Sequence, residues 1–518
     1  MATLEELIAT RINKADELRR QGIEPYPHSY EPTHNTASFL AQYGDKVEAG
    51  ETLDELVRVA GRVMAVRKSG GRTFIDIEDQ HGSVQAVVQR DNVGENNYAL
   101  LHAVLERGDF IGIEGNVTRT KRNALSVDAQ SWTMLTKAVR PLPSKEYTTE
   151  EGDRRGGLAD PELMYRQPAL RFIMDPSARD VMVKRSSAIS LMREILERHG
   201  YMEVEIPTLQ PVYGGASARP FTTRLNALGG MDLYLSISPE LYLKRMLVGG
   251  FNKGVYTICK NFRNEGIDRT HNPEFTMMEC YKAFVDYEWL MRLTENMWEE
   301  IFTEVNDSAQ VRYAMPKSEL GEQVLDFKAP WERRTMCSLV YEHTGLDVAN
   351  MEEAELRERV QRVYNDGKPY IQSDDYGSLV WGNMVQVLFE AYAEHHLVQP
   401  TFVIDHPRES TPLCKGKRGD QRLIERFEPF VYGVEVANAY SELNDPVLQR
   451  QLLMEQARMG LMGDEEAHQM DEYFCRAIEY GMPPAGGLGI GVDRLVMFLT
   501  GSTTIRDVIA FPFMRPEL

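Results

Sequence analysis

The chain of 518 residues is 42% hydrophobic and 26% charged, and it carries a formal net charge of −20. This length exceeds one ordinary hydrophobic core and indicates two or three domains, and the composition is typical of a folded globular protein and excludes a disordered one. This net negative charge opposes binding of nucleic acid over the surface as a whole, because a phosphate backbone is held mainly by lysine and arginine side chains.

The cysteines and the apolar runs bear on the compartment. Five cysteines are scattered without a CxxC pair, which argues for a reducing compartment and against a zinc site or a disulfide framework. No apolar run approaches membrane-spanning length, and the N-terminal text MATLEELIATRINKAD is unlike a signal peptide. We therefore expect a cytoplasmic protein that does not cross a membrane.

The first predicted element is a helix near the N-terminus. Its apolar residues recur at helical spacing, and Gly22 with the prolines that follow it ends the pattern. We expect the apolar face of this helix to dock on the rest of the protein. The residues of this face are Leu4, Leu7, Ile8, Ile12 and Leu18.

Five short β-type runs follow between Val57 and Arg140, with one helical segment (Tyr98 to Glu106) before the fourth run. This pattern fits an OB-fold, a barrel whose face binds oligonucleotides. The segment has 12 lysine and arginine residues against 9 aspartate and glutamate residues, a local charge of +3. Such a distribution suits a protein with one module that faces nucleic acid, although a solvated basic face has the same composition.

A polar segment that is rich in turn formers (142–166) predicts a linker. It separates an N-terminal domain of residues 1–145, with the helix and the barrel, from a second domain of residues 146–518. Within the second domain, residues 308–397 are mostly helical in pattern and charged, and predict a helical insertion that packs on the sheet.

The most informative stretch, KNFRNEGIDRTHNPEFTMMECYKAF, runs from Lys260 to Phe284. Its turn formers separate two runs that predict two strands joined by a loop. Arg263 offers a fork of donors that suits a phosphate or a carboxylate, and Phe275 offers a stacking face. Glu279 and Tyr281 lie at strand spacing on one side. Such a hairpin could hold a nucleotide and a cation next to each other.

Acidic residues also interrupt apolar text elsewhere in the second domain. Glu428 and Glu435 in ERFEPFVYGVEVANAYSELNDP are seven residues apart and do not share a face of one regular strand. A hairpin or a bend must bring them together if both bind a metal. Glu240 lies in the first turn of the helix that SISPELYLKRML predicts, where a carboxylate often serves only as a partner of the helix dipole.

Three fragments resemble the signature motifs of class II aminoacyl-tRNA synthetases, in the form found in lysyl-tRNA synthetases. FRNEG with THNPEFTMMECY is similar to the second motif, GGLGIGVDRLVMFLTG to the third, and HGYMEVEIPTL contains the proline of the first. A single GxGxG text before a helix is more often a packing corner, but three fragments in the right order are a strong signal. The resemblance implies an α+β fold, in which an OB-fold β-barrel precedes a catalytic domain with a mixed, mainly antiparallel sheet flanked by helices.

The resemblance implies activation of L-lysine with ATP and transfer of the lysyl group to the terminal ribose of tRNA(Lys). It assigns catalysis to Arg263 and Arg494, which would meet the phosphates. ATP binding is implied for Arg263, Glu265, His271, Asn272, Phe275, Glu435, Gly491 and Arg494. Lysine binding is implied for Gly215, Glu240, Arg263, Glu279, Tyr281, Asn438, Tyr440 and Glu442.

A metal ion and a second subunit also follow from the resemblance. Glu428 and Glu435 would hold Mg²⁺, a hard cation that carboxylate and phosphate oxygens satisfy. The helix from Ala178 to Arg198 and the strand that ends at Pro207 would form the interface of a homodimer.

The resemblance extends to the predicted barrel, where Arg67, Phe74 and Gln85 fall at positions that read the anticodon. An aromatic ring stacks an unpaired base, an amide reads a base edge, and arginine meets phosphate or base. The text NALS (123–126) replaces the usual GELS of the family and leaves Ala124 where an anticodon-contacting glutamate stands.

The acids of the implied pocket favour lysine as the substrate. Aspartyl and asparaginyl synthetases share this architecture, but an aspartate pocket needs a cation, whereas Glu279 and Glu442 suit a long cationic side chain. Two alternatives remain. A lysyl transferase that acts on a protein acceptor would not need the barrel, and a non-catalytic tRNA-binding paralogue should have lost Arg263, Arg494 or the metal acids.

Overall fold

Two compact units make up the protein, and they divide between Asp160 and Pro161. No helix in the described part of the chain is both long and apolar enough to cross a membrane. Most of the predicted linker lies outside that part. The computed structural model describes residues 3–143, 147–148, 154–155, 161–316, 318, 320–365, 379–461 and 469–516.

The first unit contains a closed barrel in which the strands follow the order β1-β2-β3-β5-β4. The five predicted strands and the helix between the third and the fourth are therefore confirmed. Its helices are α1 (Leu4–Arg20), α2 (Thr36–Tyr43), α3 (Arg90–Val93) and α4 (Glu95–Val104). Its strands are β1 (Thr52–Ser69), β2 (Arg72–Asp79), β3 (Gly82–Gln89), β4 (Phe110–Arg119), β5 (Leu125–Thr136), β6 (Tyr147–Thr148) and β7 (Arg154–Arg155).

The docking of α1 differs from the sequence prediction. Leu4, Leu7 and Ile12 of the predicted apolar face are exposed. The helix packs instead through its second half, where Leu18 is fully buried against the barrel, and through Arg11, which donates to the carbonyl oxygen of Ala138 at 3.0 Å. The periodicity identified a helix, but it did not show which part of the helix has a partner.

The second unit is built on one mixed sheet with the strand order β16-β17-β19-β21-β22-β13-β12-β8, and β18 and β20 pair with β19. Only β8 with β12 and β16 with β17 are parallel in this sheet, as far as its strands are described. The strands of the unit are β8 (Met202–Glu203), β9 (Leu209–Gln210), β10 (Thr222–Leu225), β11 (Met231–Leu235), β12 (Val255–Phe262), β13 (Glu274–Ala283), β14 (Gln310–Tyr313), β15 (Gln323–Asp326), β16 (Glu332–Thr335), β17 (Thr401–Pro407), β18 (Gly416–Lys417), β19 (Asp420–Val431), β20 (Val434–Glu435), β21 (Ala437–Ser441) and β22 (Ala485–Gly491).

Helices flank this sheet and complete the predicted α+β architecture. The hydrophobic core lies where α7, α9 and α15 pack against the strands. The helices are α5 (Pro161–Arg166), α6 (Pro168–Met174), α7 (Pro176–Arg198), α8 (Glu240–Val248), α9 (Tyr287–Asn306), α10 (Met336–Thr344), α11 (Glu353–Asn365), α12 (Trp381–Tyr392), α13 (Pro446–Leu461), α14 (Glu472–Glu479), α15 (Val492–Thr500) and α16 (Ile505–Val508).

The segment 308–397 is only partly helical. Its first part forms the strands β14, β15 and β16, and β16 joins the main sheet beside β17. Its second part contains α10, α11 and α12, as the sequence predicted. Each of the three strands has four residues, which is too short for an alternating pattern to stand out in charged text.

Candidate active site

The strands β12 and β13 form the predicted hairpin and lie in the middle of the sheet. They pair in antiparallel register from Val255 opposite Tyr281 to Phe262 opposite Glu274. Alternation along β13 sends Met278 and Cys280 into the hydrophobic core, and it sends Phe275, Met277, Glu279 and Tyr281 to a cavity on the other face. The cavity therefore lies on the hairpin that the sequence singled out.

This cavity has a volume of about 1000 Å³. It brings together every residue of the second unit predicted for ATP, lysine or metal binding, with the single exception of Glu442. These lining residues are Gly215, Glu240, Arg263, Glu265, His271, Asn272, Phe275, Glu279, Tyr281, Glu428, Glu435, Asn438, Tyr440, Gly491 and Arg494.

The strand β22 opens space for the cavity because it has glycines where side chains would point into it. Gly487 lies between Tyr281 of β13 and Tyr440 of β21 in the sheet. A Cβ atom on Gly487 would lie 2.1 Å from Oε1 of Glu442 and 2.3 Å from a ring carbon of Tyr281. The GxGxG text is therefore a strand that leaves room for neighbouring side chains.

Arg263 follows β12 and lies at the cationic end of the cavity. Its guanidinium carbon is 5.1 Å from the centre of the Phe275 ring. Burial lowers the pKa of Arg263 below its ordinary value, but an arginine of this kind stays protonated at neutral pH. Its buried Nε has no hydrogen-bond partner among the described residues, so the protein leaves part of the hydrogen-bonding capacity of this guanidinium unused.

Arg494, in the first turn of α15, forms a second cationic group in the cavity. Its Nη1 donates to the carbonyl oxygen of Glu435 at 2.6 Å, and its Nη2 lies 3.1 Å from Nε2 of His271. Asp268 holds the other ring nitrogen of His271 at 2.8 Å. The carboxylate of Asp493 accepts from the backbone N–H of Thr276 at 2.6 Å, which fixes α15 and hence Arg494 against β13.

Carboxylates and phenols occupy the other end of the cavity. Glu279 accepts hydrogen bonds from the hydroxyl of Tyr281 at 2.9 Å and from that of Ser238 at 3.0 Å. Glu240 accepts one from the hydroxyl of Tyr440 at 2.6 Å. Nearby, Gly215 has a φ of +86°, and a Cβ atom there would lie 3.0 Å from Cβ of Glu240, so a side chain at this position would be both strained and crowded.

The environment of Glu279 raises its pKa to about 8, through burial first and then through the negative charge of Glu240. The hydrogen bonds from Tyr281 and Ser238 and the charge of Arg263 act in the opposite direction. The free protein therefore holds most of this group neutral at pH 7. A cation that bound here would favour the ionised form.

Glu442 is the one predicted residue of this unit that does not line the cavity. Its carboxylate is 1% exposed and lies behind Gly487, where Oε2 is 2.5 Å from Nζ of Lys244. Sequence reasoning missed Lys244, which is fully buried on α8. The signal was a lysine four residues after Glu240, among leucines that form the buried face of the same helix.

The two predicted metal ligands are brought together by a hairpin. Tyr432 and Gly433 both have positive φ angles, 53° and 70°, and they turn the chain from β19 into β20 so that Glu435 pairs with Phe430. Glu428 and Glu435 then both line the cavity. The two glutamates therefore face the same cavity, as binding of one shared cation requires.

The electrostatics of this hairpin fit a cation that phosphate oxygens help to bind. Burial, followed by the charge of Glu428, raises the pKa of Glu435. Glu394 lies beside both glutamates in an adjoining cavity of about 300 Å³, and its pKa is raised to about 8 by burial and then by neighbouring carboxylates. Within the described residues, no three His, Cys, Asp or Glu side chains form a group that could hold a metal alone.

Helices that carried no sequence signal also reach the cavity. Asn383 and Gln386 of α12 and Glu455 and Gln456 of α13 are among its lining residues. Their amide and carboxylate groups can bind polar parts of a ligand. The segment 308–397 therefore contributes to the site through α12, although its sequence contains no recognisable motif.

The three anticodon candidates lie together on the outside of the barrel. Phe74 and Arg67 are paired across β2 and β1, and Phe74 is only partly buried while its neighbours Thr73 and Ile75 are fully buried. Arg67 makes two hydrogen bonds to Asp76, at 2.6 and 2.7 Å, and Gln85 lies 3.5 Å from the same carboxylate. Sequence reasoning did not identify Asp76.

The fold and the cavity define the class of this protein. The family model of class II tRNA synthetases (D, K and N) matches residues 160–515, and that of the OB-fold nucleic acid binding domain matches residues 57–135. The first match covers the sheet and the whole cavity, and the second covers most of the barrel. The two units are thus the two modules that the sequence resemblance implied.

Curated relatives narrow the class further. The lysine–tRNA ligase of Pelotomaculum thermopropionicum is 45% identical over 514 residues, which cover 99% of this chain and 96% of that protein. Those of Carboxydothermus hydrogenoformans and Porphyromonas gingivalis are each 42% identical over 99% of this chain, and they are covered to 99% and 86%. The chain belongs to the lysine–tRNA ligase family.

Proposed function

We propose that the protein is an ATP-dependent lysine–tRNA ligase, which activates L-lysine to lysyl-adenylate and transfers the lysyl group to the 3'-terminal ribose of tRNA(Lys). The observation that carries this proposal is the division of one cavity into a cationic end, with Arg263 and Arg494, and an anionic end, with Glu240 and Glu279. A nucleotide and an amino acid with a cationic side chain fit these two ends. The family to which the chain belongs supports the assignment.

In the first step, the carboxylate of lysine attacks the α-phosphorus of ATP and pyrophosphate leaves. Arg263 would neutralise the α-phosphate and the attacking carboxylate, and its position in the cavity beside Phe275 supports this role. Arg494 and His271 would meet the distal phosphates, and Phe275 would stack on adenine. Catalysis then consists of alignment and of charge stabilisation by groups that are already in place.

Further contacts to ATP are assigned to polar groups of the same wall. Glu265 would accept a hydrogen bond from the adenine amine. Asn272, whose buried Oδ1 has no hydrogen-bond partner among the described residues, would also contact ATP. Gly491 lies where α15 begins and would let the nucleotide approach the backbone. Mg²⁺ would be held by Glu428 and Glu435 and would neutralise phosphate charge when bound.

The lysine substrate is assigned to the anionic end. Glu240 and Gly215 would bind the α-ammonium, and Asn438 would bind the carboxylate. Glu279, Tyr281, Tyr440 and Glu442 would surround the side chain. The ammonium of Lys244 is already held between two carboxylates, so it is not free to bind an aspartate side chain.

One experiment tests this function directly. We expect ATP–pyrophosphate exchange with lysine alone among the twenty amino acids, abolished by EDTA and restored by Mg²⁺ without zinc, and lysylation of a tRNA(Lys) transcript. Exchange with labelling of a protein but not of tRNA would favour the protein-acceptor transferase. Binding of tRNA without any exchange would favour the non-catalytic paralogue.

A pH effect should accompany lysine binding. Because Glu279 has a pKa of about 8 in the free protein, an arriving ammonium should displace its proton at pH 7, and the KM for lysine should fall as the pH rises towards 8. Calorimetry at pH 7 in buffers with different ionisation enthalpies should show proton release. A binding enthalpy that does not depend on the buffer would contradict this assignment. The Glu279→Gln variant has no such proton, so its buffer dependence should be smaller than that of the wild type.

The Phe74→Ala variant should separate the two modules. Loss of a stacked base costs about 1–3 kcal/mol of binding energy, so kcat/KM for tRNA should fall roughly 5- to 150-fold. Lysine activation should stay intact. Charging and pyrophosphate exchange are measured side by side. The matched control is Ile75→Ala, which alters a fully buried neighbour and should lower the melting temperature. Equal losses of charging and exchange in Phe74→Ala would place Phe74 among the structural residues.

We also propose a cytoplasmic homodimer. Val183 of α7 and Met202 of β8 are 48% and 43% exposed, and they lie in the two segments that the resemblance places at a two-fold interface. Leu209 of β9, just after Pro207, is 49% exposed. Light scattering at micromolar concentration should give twice the mass of one chain. Leu209→Asp should shift the protein towards one chain, whereas Tyr480→Asp, at another exposed apolar position, should not. An active particle with the mass of one chain would rule out the dimer.

A further inference from the structure

Lys244 is a charged side chain that the proposed reaction does not use. It is 0% exposed, and its Nζ lies between the carboxylates of Glu240 and Glu442, in contact with the first and 2.5 Å from the second. Among the described residues that line the cavity, Glu240 is present and Lys244 is not. The ammonium of Lys244 therefore lies behind the wall of the site and touches it through a carboxylate.

The surroundings keep Lys244 charged. Its Nζ lies 5.4 Å from the centre of the Tyr440 ring and 6.0 Å from that of Phe474. Burial alone would lower the pKa of Lys244, but Glu240 and then Glu442 outweigh it and raise this pKa above its ordinary value. A buried ammonium with two carboxylate partners is thus a fixed positive charge of the folded protein.

Lys244 changes the charge balance of the anionic end. Three carboxylates, those of Glu240, Glu279 and Glu442, lie at this end of the site. Burial and then the charges of neighbouring carboxylates raise the pKa values of Tyr281 and Tyr440 above their ordinary values. One internal ammonium offsets one of the three charges. When all three are ionised, an excess of two negative charges remains, and lysine brings one ammonium on its α-carbon and one on its side chain.

We propose that Lys244 is a positioning residue that sets the charge of the amino-acid pocket, so that the pocket selects an amino acid with two ammonium groups. Its ammonium fixes the carboxylates of Glu240 and Glu442 and leaves the excess of two that lysine neutralises. This proposal rests on the proposed function, since it takes lysine as the substrate. The proposal goes beyond the proposed function because it gives a role to Lys244, which need not touch the substrate.

The proposal makes an unusual prediction for two substitutions together. With the remaining carboxylates ionised, as bound lysine favours, Glu442→Gln reduces the excess charge from two to one, and Lys244→Met raises it to three. The double variant restores an excess of two. If charge balance governs lysine use, the second substitution should restore kcat/KM for lysine beyond any recovery of the melting temperature. A purely structural ion pair whose two members are removed together should instead recover stability and activity in parallel.

Lysine-dependent ATP–pyrophosphate exchange of the full-length wild type, both single variants, the double variant and Lys244→Arg tests this prediction. We expect at least a tenfold loss of kcat/KM for lysine in each of the singles Glu442→Gln and Lys244→Met, and the KM for ATP should change by less than threefold. The double variant should exceed Glu442→Gln by at least tenfold. Lys244→Arg, which keeps the charge, should exceed Lys244→Met. A smaller rescue by the double variant, or equal values for the Arg and Met variants, would overturn the proposal.

Thermal melting followed by circular dichroism identifies variants that do not fold. If a single variant is unfolded, the double variant is compared with the wild type, and a KM for lysine within tenfold supports the proposal while a larger loss overturns it. The wild type in the same assay tests the proposed function separately. Wild-type exchange with lysine and no rescue refutes the role of Lys244 alone, whereas wild-type exchange with a different amino acid refutes the function.

Discussion

The Arg263→Ala variant should lower lysine-dependent pyrophosphate exchange by about 10²–10³-fold, which is typical for loss of one preorganised group that stabilises transition-state charge. Arg263 has no ion-pair partner among the described residues within ordinary salt-bridge distance, and its buried Nε is unpaired. Its removal therefore deletes a charge that faces the reactants without breaking a direct ion pair. The loss should appear mainly in kcat, because the negative charge at phosphorus is greatest in the transition state.

Steady-state exchange with both substrates varied measures this effect. Arg312→Ala removes a guanidinium that is largely exposed in the same unit and should leave kcat unchanged. Arg263→Lys keeps a positive charge but loses the planar fork, so its activity should lie between those of the wild type and the alanine variant. A kcat for Arg263→Ala within threefold of the wild type would remove Arg263 from the reaction.

The Glu442→Gln variant should impair lysine use while sparing ATP. Removal of the carboxylate partner of a buried ammonium, here that of the bound lysine, typically costs about 3–5 kcal/mol, which corresponds to roughly two to three and a half decades in kcat/KM for lysine at about 1.4 kcal/mol per decade. Glutamine keeps the shape of the side chain but leaves Lys244 with Glu240 alone. The excess negative charge that attracts the substrate is then smaller.

Exchange assays at varied lysine and at varied ATP distinguish this effect from a general loss of stability. The KM for ATP should stay near the wild-type value, because Arg263, Phe275 and Arg494 are untouched. Glu322→Gln, at an exposed glutamate of the same unit, serves as the matched control and should behave as the wild type. Unchanged kcat and KM for lysine in Glu442→Gln would exclude Glu442 from the pocket.

The sequence predicted those parts of the site that depend on local pattern. The hairpin of β12 and β13 was predictable because turn formers separate two strand-like runs, and strand periodicity then placed Glu279 beside Tyr281 on one face. The bend between Glu428 and Glu435 was predictable as a requirement, since two residues seven apart cannot share a strand face. The chain makes this bend at Tyr432 and Gly433, which both have positive φ angles.

Other parts of the site depend on which elements meet in three dimensions. The pairing of Lys244 with Glu442 joins residues that are almost 200 positions apart, and neither residue is marked by its local pattern. The contribution of Asn383 depends on the packing of α12, and the pattern of that helix shows only its apolar face. The exposed start of α1 shows the same limit, because an amphipathic pattern does not reveal whether a partner surface is present.

The position of β13 between β12 and β22 has a consequence for the synthesis of the protein. The hairpin with β12 needs only residues 255–283, but β22 begins at Ala485, about 200 residues later. Until the ribosome has released that stretch, β13 is an edge strand whose unpaired backbone and apolar side chains are open to other chains. Growing chains are therefore exposed to aggregation during this interval, and a chaperone that covers β13 would protect the catalytic sheet until its last strand arrives.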